Sequence, residues 1–294
     1  MPLSNSLTKH LALYLGSSKG HPVDLHDVLP VSGGSINDAY CLGTSIGKFF
    51  LKVNTADRFP SLFEAEADGL ERSRKTGAVR VPEVIGYGEE GDETFLLMEH
   101  IAEGERNTAF WERFGRSLAR LHGHSQDRYG LDRDNYIGTL KQVNTPDPNW
   151  ASFFIHHRLE PQLKLARDKK RVDGGTALRF ERLFGKLEAL FPKEAPALLH
   201  GDLWCGNFLC DADGRPVLID PAVYYGHREM DVAMTKLFGG FDAAFYTAYM
   251  DERPLEQDWK ERVDLCNLYP LLVHVNLFGG SYLAQVEGVL KRFV

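Results

Sequence analysis

Residues 198–226 read LLHGDLWCGNFLCDADGRPVLIDPAVYYG, and the organisation of the chain turns on them. Two short apolar runs, NFLC and PVLID, flank DADGR, whose Asp and Gly residues belong to a tight hairpin turn. Antiparallel pairing brings the two ends of such a ribbon together. Asp202 and Asn207 lie before or at its first strand and Asp220 ends its second, so all three converge at one mouth. Carboxylates buried without partners are costly, so a converging set wants a cation or a catalytic task. An amide oxygen and one carboxylate, both hard donors, suit Mg²⁺ shared with phosphate oxygens. The other carboxylate is then free to accept a proton from a hydroxyl nucleophile.

The spacing adds specificity. His200-Gly201-Asp202 followed by Asn207 matches the H-x-D-x-x-x-x-N of phosphotransferase catalytic loops, and Asp220-Pro221-Ala222 stands where kinases carry D-F-G. Phosphoryl transfer also needs a strand lysine on the α/β-phosphates and a helix carboxylate to orient it. Lys52 sits within the apolar strand FFLKV, where a solubilising edge lysine is the plainer alternative. The stretch SLFEAEADGLERSRKTG predicts a helix over about 62–75, opened by a Ser61/Glu64 capping box and stopped at Gly77. Glu66 lies between Phe63 and Leu70 on the apolar stripe, so it faces inward and wants Lys52, while Glu64 serves the cap. Upstream, the turn SGGSIND offers N–H groups around Gly33, Gly34 and Ser35 that can approach phosphates where no Cβ intervenes. In LLMEHI, position alone puts Met98, Glu99 and Ile101 on a connecting strand whose backbone would read an adenine edge.

Working outward, the first hundred residues read as strands around that one helix. After Glu99 the pattern becomes helical, as in NTAFWERFGRSLARLHGHS, WASFFIHHRLEPQLKLARDKK and the tail from Asp258. The expected fold is α+β and bilobal: a small antiparallel-sheet lobe over 1–100 and a larger helical lobe over 101–294. A net charge of −7 over 294 residues argues against nucleic-acid or anionic-membrane partners. No basic-then-apolar leader opens the chain and no run approaches the ~20 apolar residues that a bilayer demands. Cys41, Cys205, Cys210 and Cys266 lack zinc spacing and the 11 His include no HExxH, so reduced thiols in the cytoplasm are expected.

HGDLWCGN, DPAVYYGHREMDVAM, LFGGF, NYIG, FFIHHRLEPQL and LVHVNLFGGSYLAQV together resemble the fructosamine/ketosamine-3-kinase family, within the aminoglycoside-phosphotransferase-like group of protein-kinase-like fold. The resemblance spans nearly the whole chain. It implies ATP-dependent phosphorylation of the 3-hydroxyl of a ketosamine, free or on a glycated lysine, as a deglycation repair step. It implies Asp202 as base, Asn207 and Asp220 as Mg²⁺ ligands, and Lys52 with Glu66 as the phosphate-orienting pair. Trp204 becomes a ring that stacks on the sugar, or a core Trp behind the hairpin. His274 becomes a second sugar wall, or a satisfied core histidine. Asp231 resembles the carboxylate that braces the catalytic loop, and Tyr224, Tyr225 and Arg228 are read as packing and loop support. Some members carry a cysteine in the glycine turn; here Ser35 stands in its place, so no redox switch is expected there. A monomer is favoured.

Other readings differ in what they require. A protein kinase needs an activation segment, and only about ten residues separate Asp220 from Asp231. A choline, homoserine, thiosugar or aminoglycoside kinase shares the architecture, but a polycation or quaternary amine wants carboxylates, and NLYPLLVHVNLFGGSYLAQV has none. A catalytically dead nucleotide-binding scaffold should have lost one of Lys52, Asp202, Asn207 and Asp220, and all four remain.

Overall fold

A computed structural model describes residues 3–32 and 36–294. Helix α1 (Asn5–Lys19) precedes strands β1 (Leu25–Val31), β2 (Asp38–Thr44) and β3 (Gly47–Thr55), then α2 (Leu62–Lys75), β4 (Val84–Glu90) and β5 (Glu93–Glu99). The five strands form one antiparallel sheet in the order β1-β2-β3-β5-β4. Alternation along β3 decides what each face receives. Leu51 and Val53 join Leu7, Leu11 and Leu15 of α1 in one cluster. Residue 52 faces the other way, beside Leu96, where Phe63, Ala67 and Leu70 of α2 pack on the sheet.

Two expectations fail here. Helix α1 and strand β1 are additional to the anticipated strands and single helix: α1 is capped by the Ser4 hydroxyl and ended by Gly20 at φ 75°. The Ser61/Glu64 capping box does not form. Ser61 follows Pro60 in a left-handed turn (φ 58°) and its side chain caps no helix N–H, while Glu64 faces Arg133 at 3.3 Å. The helix itself runs over 62–75, with Gly77 at φ 65° beyond its end.

From α3 (Thr108–Leu121) onward the chain is mainly helical. It continues through β6 (Asn135–Ile137), β7 (Leu140–Gln142), α4 (Trp150–Phe154), a π turn at Ile155–Leu159, α5 (Glu160–Asp168), α6 (Gly174–Phe184) and α7 (Leu187–Leu190). Strands β8 (Ala197–Leu199), β9 (Phe208–Cys210), β10 (Pro216–Leu218) and β11 (Tyr224–Gly226) follow, then α8 (Glu229–Leu237), α9 (Ala243–Glu252), α10 (Trp259–Cys266), α11 (Leu268–Phe278) and α12 (Tyr282–Phe293). Phe110, Phe114, Leu118 and Leu121 of α3 are fully buried, and α9 closes on this face at Gly115, where a Cβ would lie 2.1 Å from the Phe245 carbonyl oxygen. The anticipated hairpin is β9–β10, but the pairs β6–β7 and β8–β11 are further strands in the helical part, each too short to imprint a period on the sequence. Among the described residues no helix is long and apolar enough to cross a membrane.

Candidate active site

The β8–β11 pair sets Leu199 opposite Tyr224, and the polar residues collect where the chain leaves this pair and the β9–β10 hairpin. His200 and Gly201 donate their N–H groups to the two oxygens of Asp231 at 2.7 and 2.9 Å. Gly201 takes φ 83°, and a Cβ there would sit 2.1 Å from the Ala222 carbonyl oxygen, so no other residue fits. His200 Nε2–H donates to Ile219 O at 2.9 Å, which leaves Nδ1 to accept the Asp202 N–H at 3.3 Å. Asn207 Nδ2 donates to the Asp202 carbonyl at 2.8 Å and to its carboxylate at 3.0 Å. Asp202, Asn207 and Asp220 are thus neighbours, as the hairpin argument requires. Asp220 adopts φ 56°, a left-handed conformation that a non-glycine residue holds only under tertiary constraint.

Lys52 reaches this group from the sheet. Its Nζ lies 2.7 Å from Glu66 Oε1 and 2.6 Å from Asp220 Oδ1. Burial alone would lower the lysine pKa, but Asp220 and Glu66 together hold it above the ordinary value, so it stays charged. Burial, with the charges of Asp220 and Asp231, pushes Asp202 up to about 7 against the opposing Asn207 hydrogen bond. That value suits a group that must accept a proton near neutrality. Burial opposes ionisation of Asp231 as well, yet His122 and the loop N–H groups hold it below the usual carboxylate range.

Glu99 donates its N–H to Glu83 O at 2.8 Å, and its carboxylate takes Arg80 at 2.6 Å. Its N–H is therefore spent on Glu83, and the hinge reading of Glu99 rests on position alone. Met98 and Ile101 are buried beside it, and the Ile101 N–H has no backbone partner among the described residues. Gly33, Gly34 and Ser35 lie outside the described residues; downstream, Asn54 Nδ2 holds Ile36 O at 3.2 Å and Asn37 Oδ1 at 2.7 Å. Trp204 and His274 do not touch. Phe238 neighbours both, 6.0 Å from the indole and 5.0 Å from the imidazole, ring centre to ring centre. His274 Nδ1–H donates to Pro270 O at 2.8 Å, so it is hydrogen-bonded yet still part of an aromatic wall.

Several supporting residues escape sequence reasoning. His122 links α3 to the loop: Nε2 faces Asp231 at 3.1 Å and Nδ1 faces the Tyr249 hydroxyl at 2.8 Å. Arg80 bridges Glu99 to Asp211 at 3.5 Å, tying the sheet to the hairpin turn. Asn135 and Gln142 donate to Val223 O and Ala222 O at 2.8 and 3.0 Å, fixing the backbone just after Asp220. Arg158, fully buried on the π turn, donates to Asn144 Oδ1 at 2.7 Å and stacks on the Tyr224 ring at 4.0 Å. Arg228, by contrast, is among the residues read as loop support, and it forks onto Glu194 at 2.7 Å. Only the recurrence of polar residues in NYIG and HHRL hints at this lattice; its partners are too distant in sequence to pair by spacing.

Fold and site define a phosphotransferase of protein-kinase-like architecture that acts on an alcohol group. Aminoglycoside phosphotransferase structures share the fold alone, with a TM-score of 0.64 at 14% identity over 97% of this chain and 99% of theirs. A family model described as fructosamine kinase matches residues 7–294, and the chain belongs to that family. A probable ketoamine kinase of Synechocystis is 40% identical over 286 residues, covering 96% of this chain and 95% of its own. A chloroplastic protein-ribulosamine 3-kinase of Arabidopsis thaliana is 36% identical, covering 94% of this chain and 85% of its own. A crystal structure described as a putative fructosamine-3-kinase from Thermobifida fusca superposes with a TM-score of 0.88 at 33% identity, covering 98% of each chain.

Proposed function

We propose that this chain transfers the terminal phosphoryl group of ATP to the 3-hydroxyl of a ketosamine, a ribulosamine, erythrulosamine or fructosamine, including one carried on a lysine side chain. The observation that carries the reading is Asp202, a carboxylate at about 7 in a pocket shared with Asn207 and with Asp220 on Lys52. The residues present fit Mg²⁺. Asn207 uses its Nδ2 on Asp202, which leaves Oδ1 as a donor oxygen, and Asp220 gives only Oδ1 to Lys52 and keeps 43% of its side chain exposed. Among the described residues no three His, Cys, Asp or Glu side chains form a metal cluster, so Asn207 and Asp220 are the residues that would hold the ion. When bound, Mg²⁺ neutralises charge on the transferring phosphates.

The residues divide the work as follows. Residues 1–100 cover the nucleotide, with Lys52 on its phosphates and Glu66 orienting the lysine, while 101–294 carry the acceptor site. Met98, Glu99 and Ile101 line the base. Asp202 takes the proton of the sugar hydroxyl as that oxygen bonds to phosphorus and the bond to the ADP oxygen breaks. Asp231 and His200 keep the base in place. Trp204 and His274 flank the sugar. In the product the 2-keto amine enolises to its 1,2-enaminol, the 3-phosphate leaves as inorganic phosphate, and water hydrolyses the remaining imine to the free amine and a 3-deoxyosone, which is deglycation. ADP release with a ribulosamine and Mg²⁺, with proton NMR of the product, tests the reading. Turnover of choline, homoserine or an aminoglycoside but of no ketosamine would replace it with the neighbouring kinase reading.

A further inference from the structure

A left-handed aspartate such as Asp220 persists only where its surroundings over-determine the backbone, and the residues that follow it are held unusually firmly. Ala222 is gripped on both sides: its N–H donates to His200 O at 2.9 Å, and its carbonyl accepts from Gln142 Nε2 at 3.0 Å. Val223 O accepts from Asn135 Nδ2 at 2.8 Å. Asn135 and Gln142 stand opposite each other on the β6–β7 hairpin, so their amides share a face. Asn144, Arg158 and Tyr269 complete the group, and all five residues are 5% exposed or less. Arg158 is the odd member. It is fully buried, yet among the described residues no carboxylate pairs with it. Nη1 donates to Val143 O at 2.7 Å and to His157 O at 2.9 Å, Nη2 donates to Asn144 Oδ1 at 2.7 Å, and the guanidinium lies 4.0 Å from the centre of the Tyr224 ring. A cation buried without a counter-ion is costly, and an apolar side chain fills such a space at lower cost. Packing alone does not account for it.

We infer that Arg158 and Tyr269 are positioning residues for Asp220: they set the sense of the buried amides, so that N–H groups and not carbonyl oxygens meet the backbone behind it. The inference rests on the reading of Asp220 as an Mg²⁺ ligand. Arginine only donates, so Asn144 must turn its oxygen to Arg158 and its nitrogen away. That nitrogen donates to Asn135 Oδ1 at 2.9 Å. The Tyr269 hydroxyl donates to Gln142 Oε1 at 2.8 Å, which sends Gln142 Nε2 to the same Asn135 oxygen at 2.8 Å and to Ala222 O. With its oxygen engaged twice, Asn135 has its nitrogen left for Val223 O. Were Asn135 or Gln142 turned over, a side-chain oxygen would face a backbone carbonyl at Val223 or Ala222, and both would be left buried without a donor. The segment behind Asp220 would then loosen. Asp220 would relax from φ 56°, and its carboxylate would leave the place where Lys52 meets it at 2.6 Å. The π turn over Ile155–Leu159 carries Arg158 into this group, the kind of helix irregularity that functional sites favour.

The experiment titrates Mn²⁺, standing in for Mg²⁺, into protein saturated with ADP and follows free Mn²⁺ by electron paramagnetic resonance, with no turnover involved. Arg158→Met, similar in length but without donors, should raise the Mn²⁺ Kd about ten-fold, the order expected when a strained ligand is released. Arg158→Lys, still a pure donor, should fall between that variant and the unmodified protein. Tyr269→Phe removes one hydroxyl from Gln142 and should raise the Kd about three-fold; it decides alone if Arg158→Met does not fold. Gly115→Ala, which strains the α3–α9 contact elsewhere, serves as the control and should leave the Kd unchanged. An unchanged Kd in Arg158→Met or in Tyr269→Phe would overturn the inference. So would Lys and Met variants that bind alike, or a Gly115→Ala protein that weakens as much as they do, since either result would make the effect one of general packing. Asp220→Ala with an unchanged Kd would instead remove the metal reading itself.

Discussion

Replacing Asp202 by Asn should lower activity and raise stability, in a pH-dependent way. The folded protein holds this carboxyl at about 7, against 3.8 for an ordinary Asp, chiefly through burial. At about 1.4 kcal/mol per pH unit, that lift corresponds to roughly 4 kcal/mol against carrying the charge. The side chain is half-buried rather than sealed, so roughly 2 kcal/mol is the fair expectation after solvent screening. The sign follows from linkage: the folded pKa lies above the unfolded one, so the wild-type protein loses stability as pH rises from about 4 through about 7. Asn carries no charge and escapes that loss. Thermal unfolding should therefore show Asp202→Asn gaining several degrees at pH 8, at roughly 2–4 °C per kcal/mol for a chain of this size. The gain should shrink towards zero as the buffer approaches pH 4. Over the same range kcat should fall by about 10²–10⁴, because the base is gone while the phosphate-holding residues remain. Activity near the wild-type rate would show that another group takes the proton. A melting temperature that drops equally at every pH would show that Asp202 is an ordinary structural carboxylate.

Lys52→Ala leaves Glu66 buried without its cation and should cost about 3 kcal/mol in urea unfolding, while Lys52→Ala with Glu66→Gln recovers much of the stability but none of the activity. Gly115→Ala forces a methyl against the Phe245 carbonyl and should destabilise by about 3 kcal/mol, whereas Gly20→Ala, open in space but at φ 75°, should cost about 1 kcal/mol; comparable losses would mean that α3 and α9 yield easily. Asn207→Ala should raise the Mg²⁺ concentration giving half-maximal rate at least ten-fold, read by titrating Mg²⁺ at saturating ATP; an unchanged midpoint would take Asn207 out of the metal site. His122→Ala should lower kcat several-fold with the KM for ATP unchanged, since it acts on the loop through Asp231. A matching rise in that KM would show a general loss of fold.

The hairpin around residues 208–218 and the inward Glu66 were legible because their geometry is local. A turn of Asp and Gly between apolar runs joins its own strands, and helical spacing alone puts Glu66 on the Phe63 side. Motif spacing carried Asp202, Asn207 and Asp220 in the same way, since one ribbon joins them. The Ser61 capping box misled for the opposite reason: Pro60 before it and the packing of α2 on the sheet chose a left-handed turn that no three-residue spacing reveals.

What the sequence determined alone is the alternation that sends residue 52 to one face of the sheet, the helix beneath it and the ribbon that gathers three polar side chains. The tertiary structure decided the rest: that Lys52 reaches Asp220 across 168 residues of chain, that His122 and Tyr249 stand behind Asp231, and that Phe238 packs beside both Trp204 and His274. The physical reason is range. Backbone periodicity acts over a few residues and leaves its mark in composition, whereas a buried charge or ring finds its partner only when separate elements close on one core, and no local pattern encodes that meeting.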